Sequence, residues 1–469
     1  MIPNQREGED FRTPSQREGE DFRTAVKREG EDFRTPIKRE GEDFRTPAQG
    51  EGEDFREAVK REGEDFRTAV KREGEDFRRA VAGTGDGTQI LELDVKLPAS
   101  RIEVRRSPFL PAALREKNTP LRLVHIGPCF MNGGVEQHAL SLAKFFDPQR
   151  VLFQKCLVTN SELISPQAVA AMPVPVEYCP LDEIHDRTAE FDIALLWGDG
   201  YNDCFQKSRP PLCVFVAHGE SWWTAEILQN SDRVIDHAIA VSARAKESVC
   251  RGIPTTTVLN GADTGHLGQS RPRAEVRERL GFAPHDFVLG SVGRFSEEKR
   301  MPLLIEAVSQ LPKHFKLLLV GHGARYHELV DLANRLIPGR YAFATAADYL
   351  GDYYRAMDAF SLVSAHEGFG LVIAEALHCE RPVIVTNVGC VPEIIRDKIN
   401  GLVVAPTPAA IAEAARLLHD HPAWAKGIAA EGRAVAESKL HAARMAREYE
   451  ELFWQLWRSE QRVGVGDLR

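Results

Sequence analysis

Residues 366–375 read HEGFGLVIAE, with Glu367 and Glu375 standing eight positions apart around a Gly-Phe-Gly turn that runs into an apolar stretch. A core does not ask for carboxylates. An ionised carboxylate offers only acceptors and takes two sugar hydroxyls at once, so the pair suits a hydroxyl-rich ligand, one glutamate for a sugar and one for a ribose. Upstream, SVGRFSEEK (291–299) puts Arg294 at the carboxyl end of a strand-like run and Lys299 near the start of the helix that follows. An Arg, a Lys and the free N–H groups of a helix start suit a diphosphate, through fixed dipoles and charge-assisted hydrogen bonds. Each feature also has an ordinary reading. Glu367 and Glu375 would serve as a helix cap and a helix-surface residue, and GRFSEEKR as a solvated cluster paired with its own glutamates.

The elements that must position these residues are legible as texture. LRLVHIG (121–127), QKCLVTN (154–160), PVEYC (175–179), FDIALLWG (191–198), CVFVAHG (213–219) and HAIAVSA (237–243) are apolar runs of strand length, punctuated by Gly, Asn or Ser. After a charged helix, RAEVRERLG (273–281), the pattern restarts with FVLGSVG, FKLLLVG, RYAFA, DAFSLVS and RPVIVTN. Strands alternating with helices over such lengths build parallel sheets covered on both faces. The expected fold class is α/β, with two Rossmann-like doubly wound domains facing each other across a cleft and ligands outside the carboxyl ends of the strands. Glu437 to Trp457 sets Leu440, Met445, Tyr449, Leu452, Phe453 and Leu456 on one broad helical face and reads as a closing helix.

The first 81 residues have a different texture. An 11-residue unit typified by KREGEDFRTAV repeats from Gln5 to Val81, with phenylalanines at 11, 22, 33, 44, 55, 66 and 77. A period of 11 can specify a helical supercoil, but a glycine in every unit and several Thr-Pro pairs argue for mixed-charge disorder. A multivalent array of weak Phe elements is the functional alternative. The expected organisation is 1–84 repeats, 85–120 linker with a strand at Gln89 to Val95, 121–268 first Rossmann-like domain, 269–435 second Rossmann-like domain and 436–469 closing helix.

Across 469 residues, 60 Lys+Arg against 69 Asp+Glu give a net charge of -9, which does not propose nucleic acid as a partner. No run approaches the roughly 20 apolar residues of a membrane span, and MIPNQREGED lacks the shape of a cleaved signal. A cytoplasmic location is expected, with peripheral contact at the inner face of the membrane left open. Eight cysteines without a C-x-x-C pair read as reduced structural thiols.

In order, GGVEQHALSLAKF (133–145), VLNGAD (258–263), GRFSEEKR (293–300), VGHGA (320–324), EGFGLVIAEAL (367–377), PVIVTNVG (382–389), PEII (392–395) and GLVV (401–404) resemble the motifs of the family 4 retaining glycosyltransferases of GT-B fold. The resemblance implies a second domain that holds a nucleotide-diphosphate sugar and a first domain that holds a glycan, lipid or small-molecule acceptor. It implies that Arg294 and Lys299 bind the diphosphate. Glu367, with the backbone of Phe369, Gly370 and Leu371, would hold the donor sugar and β-phosphate, and Glu375 the ribose. Gly133 and Gly134 resemble a glycine loop that approaches the phosphates, and His218 a histidine facing the donor sugar. No Asp-x-Asp signature accompanies these motifs, so no metal or other cofactor is expected. Arg300, Glu380 and Cys390 depart from the pattern by standing where the family commonly has glycine. A nucleotide-sugar 2-epimerase on the same fold and a non-catalytic sugar-nucleotide-binding scaffold are the other readings.

Overall fold

The computed structural model describes residues 119–466 apart from 132, 206–207, 220–221, 230, 250–251, 269–270 and 346–349. The repeat array and the strand expected at Gln89 to Val95 lie outside the described residues. The apolar runs form two parallel sheets. The first contains β1 (Leu121–Gly127), β2 (Val151–Val158), β3 (Val176–Tyr178), β4 (Ile193–Leu196), β5 (Leu212–Ala217), β6 (His237–Ala240) and β7 (Thr255–Thr257), in the order β3-β2-β1-β4-β5-β6-β7. The second contains β8 (Phe287–Val292), β9 (Phe315–Val320), β10 (Tyr341–Ala344), β11 (Ala359–Leu362), β12 (Val383–Val385) and β13 (Leu402–Val403), in the order β10-β9-β8-β11-β12-β13. Strands such as β5 and β8 are buried along their whole length, as sheets covered on both faces require.

Both orders reverse direction beside their first strand, so each sheet has a switch point, between β1 and β4 and between β8 and β11. Loops leaving neighbouring strands diverge there and open a crevice at the carboxyl ends. The glycine-rich motifs are those loops. GGV opens α1 (Gly134–Phe145), and on the second sheet EGFG opens the helix that follows β11. Further helices used below are α2 (Ala243–Val249), α3 (Met301–Ser309), α4 (Leu371–His378), α5 (Pro422–Lys439) and α6 (Ala442–Gly466).

The single closing helix expected from Glu437 is broken at Leu440–His441, where α5 ends and α6 begins. Tertiary pairing makes the break. Ala262 N–H donates to Leu440 O (2.8 Å) and Ala442 N–H to Ala262 O (3.0 Å), so the linker between the domains and the returning chain bond to each other. A Cβ at Gly261 would stand 2.5 Å from the His441 backbone, which is why glycine sits at that crossing. Beyond it α6 packs on α1 of the first domain. Phe453 meets Phe146 edge to face, and Glu450 accepts from Asp147 N–H (2.6 Å) and pairs with Arg150 (3.1 Å). Met445, Tyr449, Phe453 and Trp457 are all buried, whereas Leu440 is buried outside the helix it was expected to join.

The end of α4 explains one departure from the glycine pattern. Glu380 N–H donates to Leu377 O and Arg381 N–H to Ala376 O, both at 2.9 Å. This paired C-terminal motif needs a left-handed residue, and Glu380 takes φ 56°. A side chain there costs roughly 1 kcal/mol, partly offset by the greater freedom of glycine when unfolded. Glu380→Gly is therefore expected to raise unfolding stability by about 0.5–1 kcal/mol. Urea titration of both proteins checks this, and a loss of stability would contradict the strain.

Candidate functional site

The site begins where β8 ends. Gly321 and Gly323 press on the loop Gly293–Phe295 so closely that a Cβ on either would fall 1.9 Å from Gly293 O or 2.6 Å from the Phe295 backbone. Phe295 is fully buried beneath, and Arg294 projects from the surface of the loop. Next to it lies a second departure, Arg300, which takes φ 48° at the start of α3, so the position has the left-handed backbone that favours glycine. Cys390, the third departure, has an ordinary φ of -80° and needs no glycine.

Lys299 does not pair with the glutamates of its own motif. Its Nζ donates to Glu367 Oε1 at 2.6 Å, and the Ser364 hydroxyl donates to the same oxygen at 2.7 Å. Both charged side chains are largely buried, at 17% and 10% exposure. The loops after β8 and β11 are further joined by the Ala365 N–H, which donates to Glu298 O at 2.7 Å. Burial would raise the Glu298 carboxyl, but the Ser296 hydroxyl at 2.6 Å, its own N–H and the charges of Arg294 and Lys299 outweigh this and hold it low.

Glu367 is followed by a tightly specified turn. Gly370 takes φ 91° at the N-terminus of α4, while Cys390 N–H donates to Phe369 O at 3.1 Å. Leu371 begins the helix and Glu375 lies in its second turn, only 7% exposed. Its Oε2 accepts from the Tyr354 hydroxyl at 2.7 Å, and burial together with the Glu375 charge keeps that phenol protonated far above its usual range. Glu367 and Glu375 thus have different surroundings, a cation and a serine against a buried phenol.

The first domain meets this loop directly. A Cβ on Gly368 would stand 1.6 Å from His218 O, Ser242 Oγ donates to Gly368 O at 3.0 Å, and the N–H of Ala243 at the start of α2 donates to Glu393 Oε2 at 3.0 Å. Gly134, first residue of α1, faces Leu371 of α4, 3.9 Å from where its Cβ would be. Gly133, Gly134, His218, Lys299, Glu367, Phe369, Gly370 and Leu371 therefore converge on the junction of the domains. Arg294 lies on the adjoining loop, and Glu375 one turn deeper.

Residues not singled out by sequence complete the site. The His218 ring meets His138 edge-on, with centroids 4.9 Å apart, and Trp197 at 6.2 Å. His138 Nε2 shares a 2.9 Å hydrogen bond with the Tyr449 hydroxyl of α6. His138 Nδ1, Trp197 Nε1 and His218 Nε2 are buried without hydrogen-bond partners in the protein. His138 lay in view within GGVEQH, four residues after Gly134. Trp197 carries no local signal, and Tyr449 reads from the sequence only as part of the closing helix's apolar face, because packing from distant elements brings both here. Glu136, in the first turn of α1, is buried and accepts from Met131 N–H at 3.0 Å; burial raises its carboxyl, against the opposing backbone hydrogen bonds. Among the described residues no three His, Cys, Asp or Glu side chains form a group able to hold a metal ion, and no helix is long and apolar enough to cross a membrane.

Burial makes the histidines neutral. It lowers His125 to about 4 and His218 to about 3, and carries His138 well below the usual range, with neighbouring histidines adding to the last two. Once unfolded, each titrates near the ordinary 6.5. Between about pH 6.5 and 4 the unfolded chain binds more protons, so their contribution is full above pH 6.5 and is lost as pH falls, by about 1.4 kcal/mol per pH unit for each histidine. Urea titrations at pH 7.5 and pH 5 check this; His125→Asn should lose stability less steeply, and an unchanged slope would contradict a neutral buried His125.

Comparison with known proteins gives the site a setting. Residues 272–434 match the family model described as Glycosyl transferases group 1. The chain is 26% identical over 196 residues to the N-acetyl-alpha-D-glucosaminyl L-malate synthase of Bacillus anthracis, covering 41% of this chain and 51% of that one. It is 37% identical over 162 residues to the D-inositol 3-phosphate glycosyltransferase of Rhodococcus jostii (strain RHA1), covering 31% and 35%. The chain thus spans about half or less of the length of these relatives. Anabaena Alr3699/HepE, whose crystal structure holds UDP and glucose, superposes with a TM-score of 0.64 at 19% identity, covering 71% of this chain and all of that one. That likeness establishes the GT-B fold.

Proposed function

We propose, from the match of residues 272–434 to the family model of glycosyl transferases group 1 and from the geometry of the junction, that this chain transfers a sugar from a nucleotide-diphosphate sugar to an acceptor hydroxyl with retention of configuration. The observation that carries the reading is the convergence of Lys299 and Glu367, from two loops of the second sheet, opposite His218 and Gly134 of the first. Departure of the diphosphate develops negative charge. Arg294, Lys299 and the N-terminus of α4 would stabilise that charge more strongly in the transition state than in the ground state. A carboxylate has about four acceptor positions, so the two bonds on Glu367 Oε1 orient the group without exhausting its capacity for sugar hydroxyls. His218, neutral and buried at the junction, would meet a hydroxyl rather than a phosphate. Glu375, anchored by Tyr354, would take the ribose. The chemistry proposed requires no metal. The Rhodococcus jostii relative is named a glycosyltransferase, which favours transfer over epimerisation.

Thermal-shift screening with UDP-, GDP- and ADP-sugars tests donor binding, since a ligand of the folded state raises apparent stability; UDP-glucose comes first because the Anabaena structure holds UDP and glucose. Arg294→Ala is expected to cost about 2–4 kcal/mol in transition-state stabilisation, by analogy with loss of a preorganised donor, with the melting temperature nearly unchanged. Full turnover in that variant would return GRFSEEKR to the status of a surface charge cluster. Glu375→Gln should weaken calorimetric binding of the free nucleotide, while Glu367→Gln should reduce transfer far more than nucleotide binding. Equal losses in both variants would break this division of labour.

A further inference from the structure

The rings of His138, Trp197 and His218 meet at the junction with little to fix them. His218 stands at 80° to His138 and at 86° to Trp197. No side-chain hydrogen bond holds His218 or Trp197 among the described residues, and the buried His218 Nε2 and Trp197 Nε1 have no partner. The last torsion of a histidine side chain is broad and two-fold, so packing alone resists flipping of the imidazole only weakly. Trp197 is wedged by backbone, since a Cβ on Gly127 would stand 1.9 Å from its Nε1. His138 is held by direction. The 2.9 Å bond between its Nε2 and the Tyr449 hydroxyl is the one side-chain hydrogen bond that reaches any of the three rings among the described residues.

The phenol arrives at a fixed place. Tyr449 shares the buried face of α6 with Met445, Phe453 and Trp457, and Glu450 pins that helix to the end of α1 through Asp147 N–H and Arg150. Burial holds the phenol proton far above its usual range. A phenol O–H is the stronger donor of the two and an imidazole nitrogen the stronger acceptor, and the hydroxyl has no other partner among the described residues. Tyr449 therefore donates to Nε2, and the neutral His138 carries its hydrogen on Nδ1. We infer that Tyr449 is a positioning residue: by bonding His138 it fixes the ring against which His218 stands, and so sets the edge of His218 offered to the donor sugar. The inference rests on the reading of His218 as a sugar-facing group, and adds to it a residue of the last helix, 311 positions from His138 and buried away from the ligand. Without the phenol oxygen His138 has neither a fixed plane nor a fixed tautomer, and His218 rests on a ring free to flip. Small misplacements of a group that orients a reacting sugar are costly in rate.

The test reads the histidines directly. In the full chain labelled with 15N-histidine, long-range proton–nitrogen spectra at pH 7.5 report the tautomer of each neutral ring, and His138→Gln and His218→Asn assign the two rings by loss of their resonances. The wild-type His138 should show a single tautomer with its hydrogen on Nδ1. Tyr449→Phe, which removes one oxygen and keeps the ring in the core, should mix the His138 tautomers and move the His218 resonances. It should also lower kcat for acceptor-independent turnover of UDP-glucose about tenfold, with KM within about twofold. His138→Gln keeps an acceptor for the phenol but removes the ring, so it should move His218 in the same way, and it carries the test if Tyr449→Phe does not fold. Trp457→Phe, further along the buried face of α6, loosens the same packing without touching the bond and should leave both rings and the turnover as they are. His218 resonances that stay in place in Tyr449→Phe and His138→Gln, or that move equally in Trp457→Phe, would overturn the positioning role. Moved resonances with unchanged turnover would overturn the sugar-facing reading of His218. A wild-type chain that turns over none of UDP-, GDP- and ADP-glucose would overturn the nucleotide-sugar reading, with the spectra still deciding whether Tyr449 positions the rings.

Discussion

A 2.6 Å ion pair between Lys299 and Glu367 holds together two loops that leave neighbouring strands of the second sheet. At a switch point such loops diverge, and without a bond across them the crevice would have no defined floor. The pair is largely buried, so each charge depends on the other and on Ser364 for the hydrogen bonding that water would otherwise supply. Its geometry sets the position of Glu367, hence of the Gly-Phe-Gly turn and of the first N–H groups of α4. The first domain then docks on that turn through His218 O and Ser242.

On the second domain Arg294, Lys299 and a helix N-terminus assemble positive potential around carboxylates. On the facing side of the first domain His138, His218 and Trp197 are buried together. Burial at this density excludes imidazolium, because desolvation and the neighbouring histidines both act against the charged form. The last helix of the chain takes part in this arrangement. By crossing back to pack on α1 it delivers Tyr449 to His138, so the C-terminus of the chain supports the face opposite the second domain.

Backbone conformation places limits on both loops. Arg300 and Glu380 occupy left-handed positions where a side chain is tolerated only because the surrounding hydrogen bonds over-determine the turn. The same logic explains glycines that cannot be replaced. Gly368 lies against His218 O, and Gly321 against Gly293 O, at separations that leave no room for a Cβ. Close approach of backbone to backbone is what lets two domains and three loops share so small a volume.

The alternation of apolar runs and turn residues was enough to define the two parallel sheets, because strands buried on both faces must be continuously apolar and helices between them must be amphipathic. Motif order and residue type likewise mark Arg294, Lys299, Glu367 and Glu375 as chemically unusual, and the glycine pattern marks Arg300 and Glu380, which both take left-handed dihedrals. Partnership was not legible. GRFSEEKR contains two glutamates near Lys299, yet its partner lies 68 residues away because β8 and β11 are neighbours in the sheet and not in the chain. From Glu437 the sequence pattern reads as one closing helix, and a cross-domain hydrogen bond between Ala262 and Leu440 cuts it. Tyr354 and Trp197 have no local pattern to announce them, and the pattern that marks Tyr449 points only to a buried helix face. Local sequence determines which elements form and which side chains carry charge or hydrogen-bonding capacity; only the tertiary structure decides which of those groups lose water together, and therefore which must pair.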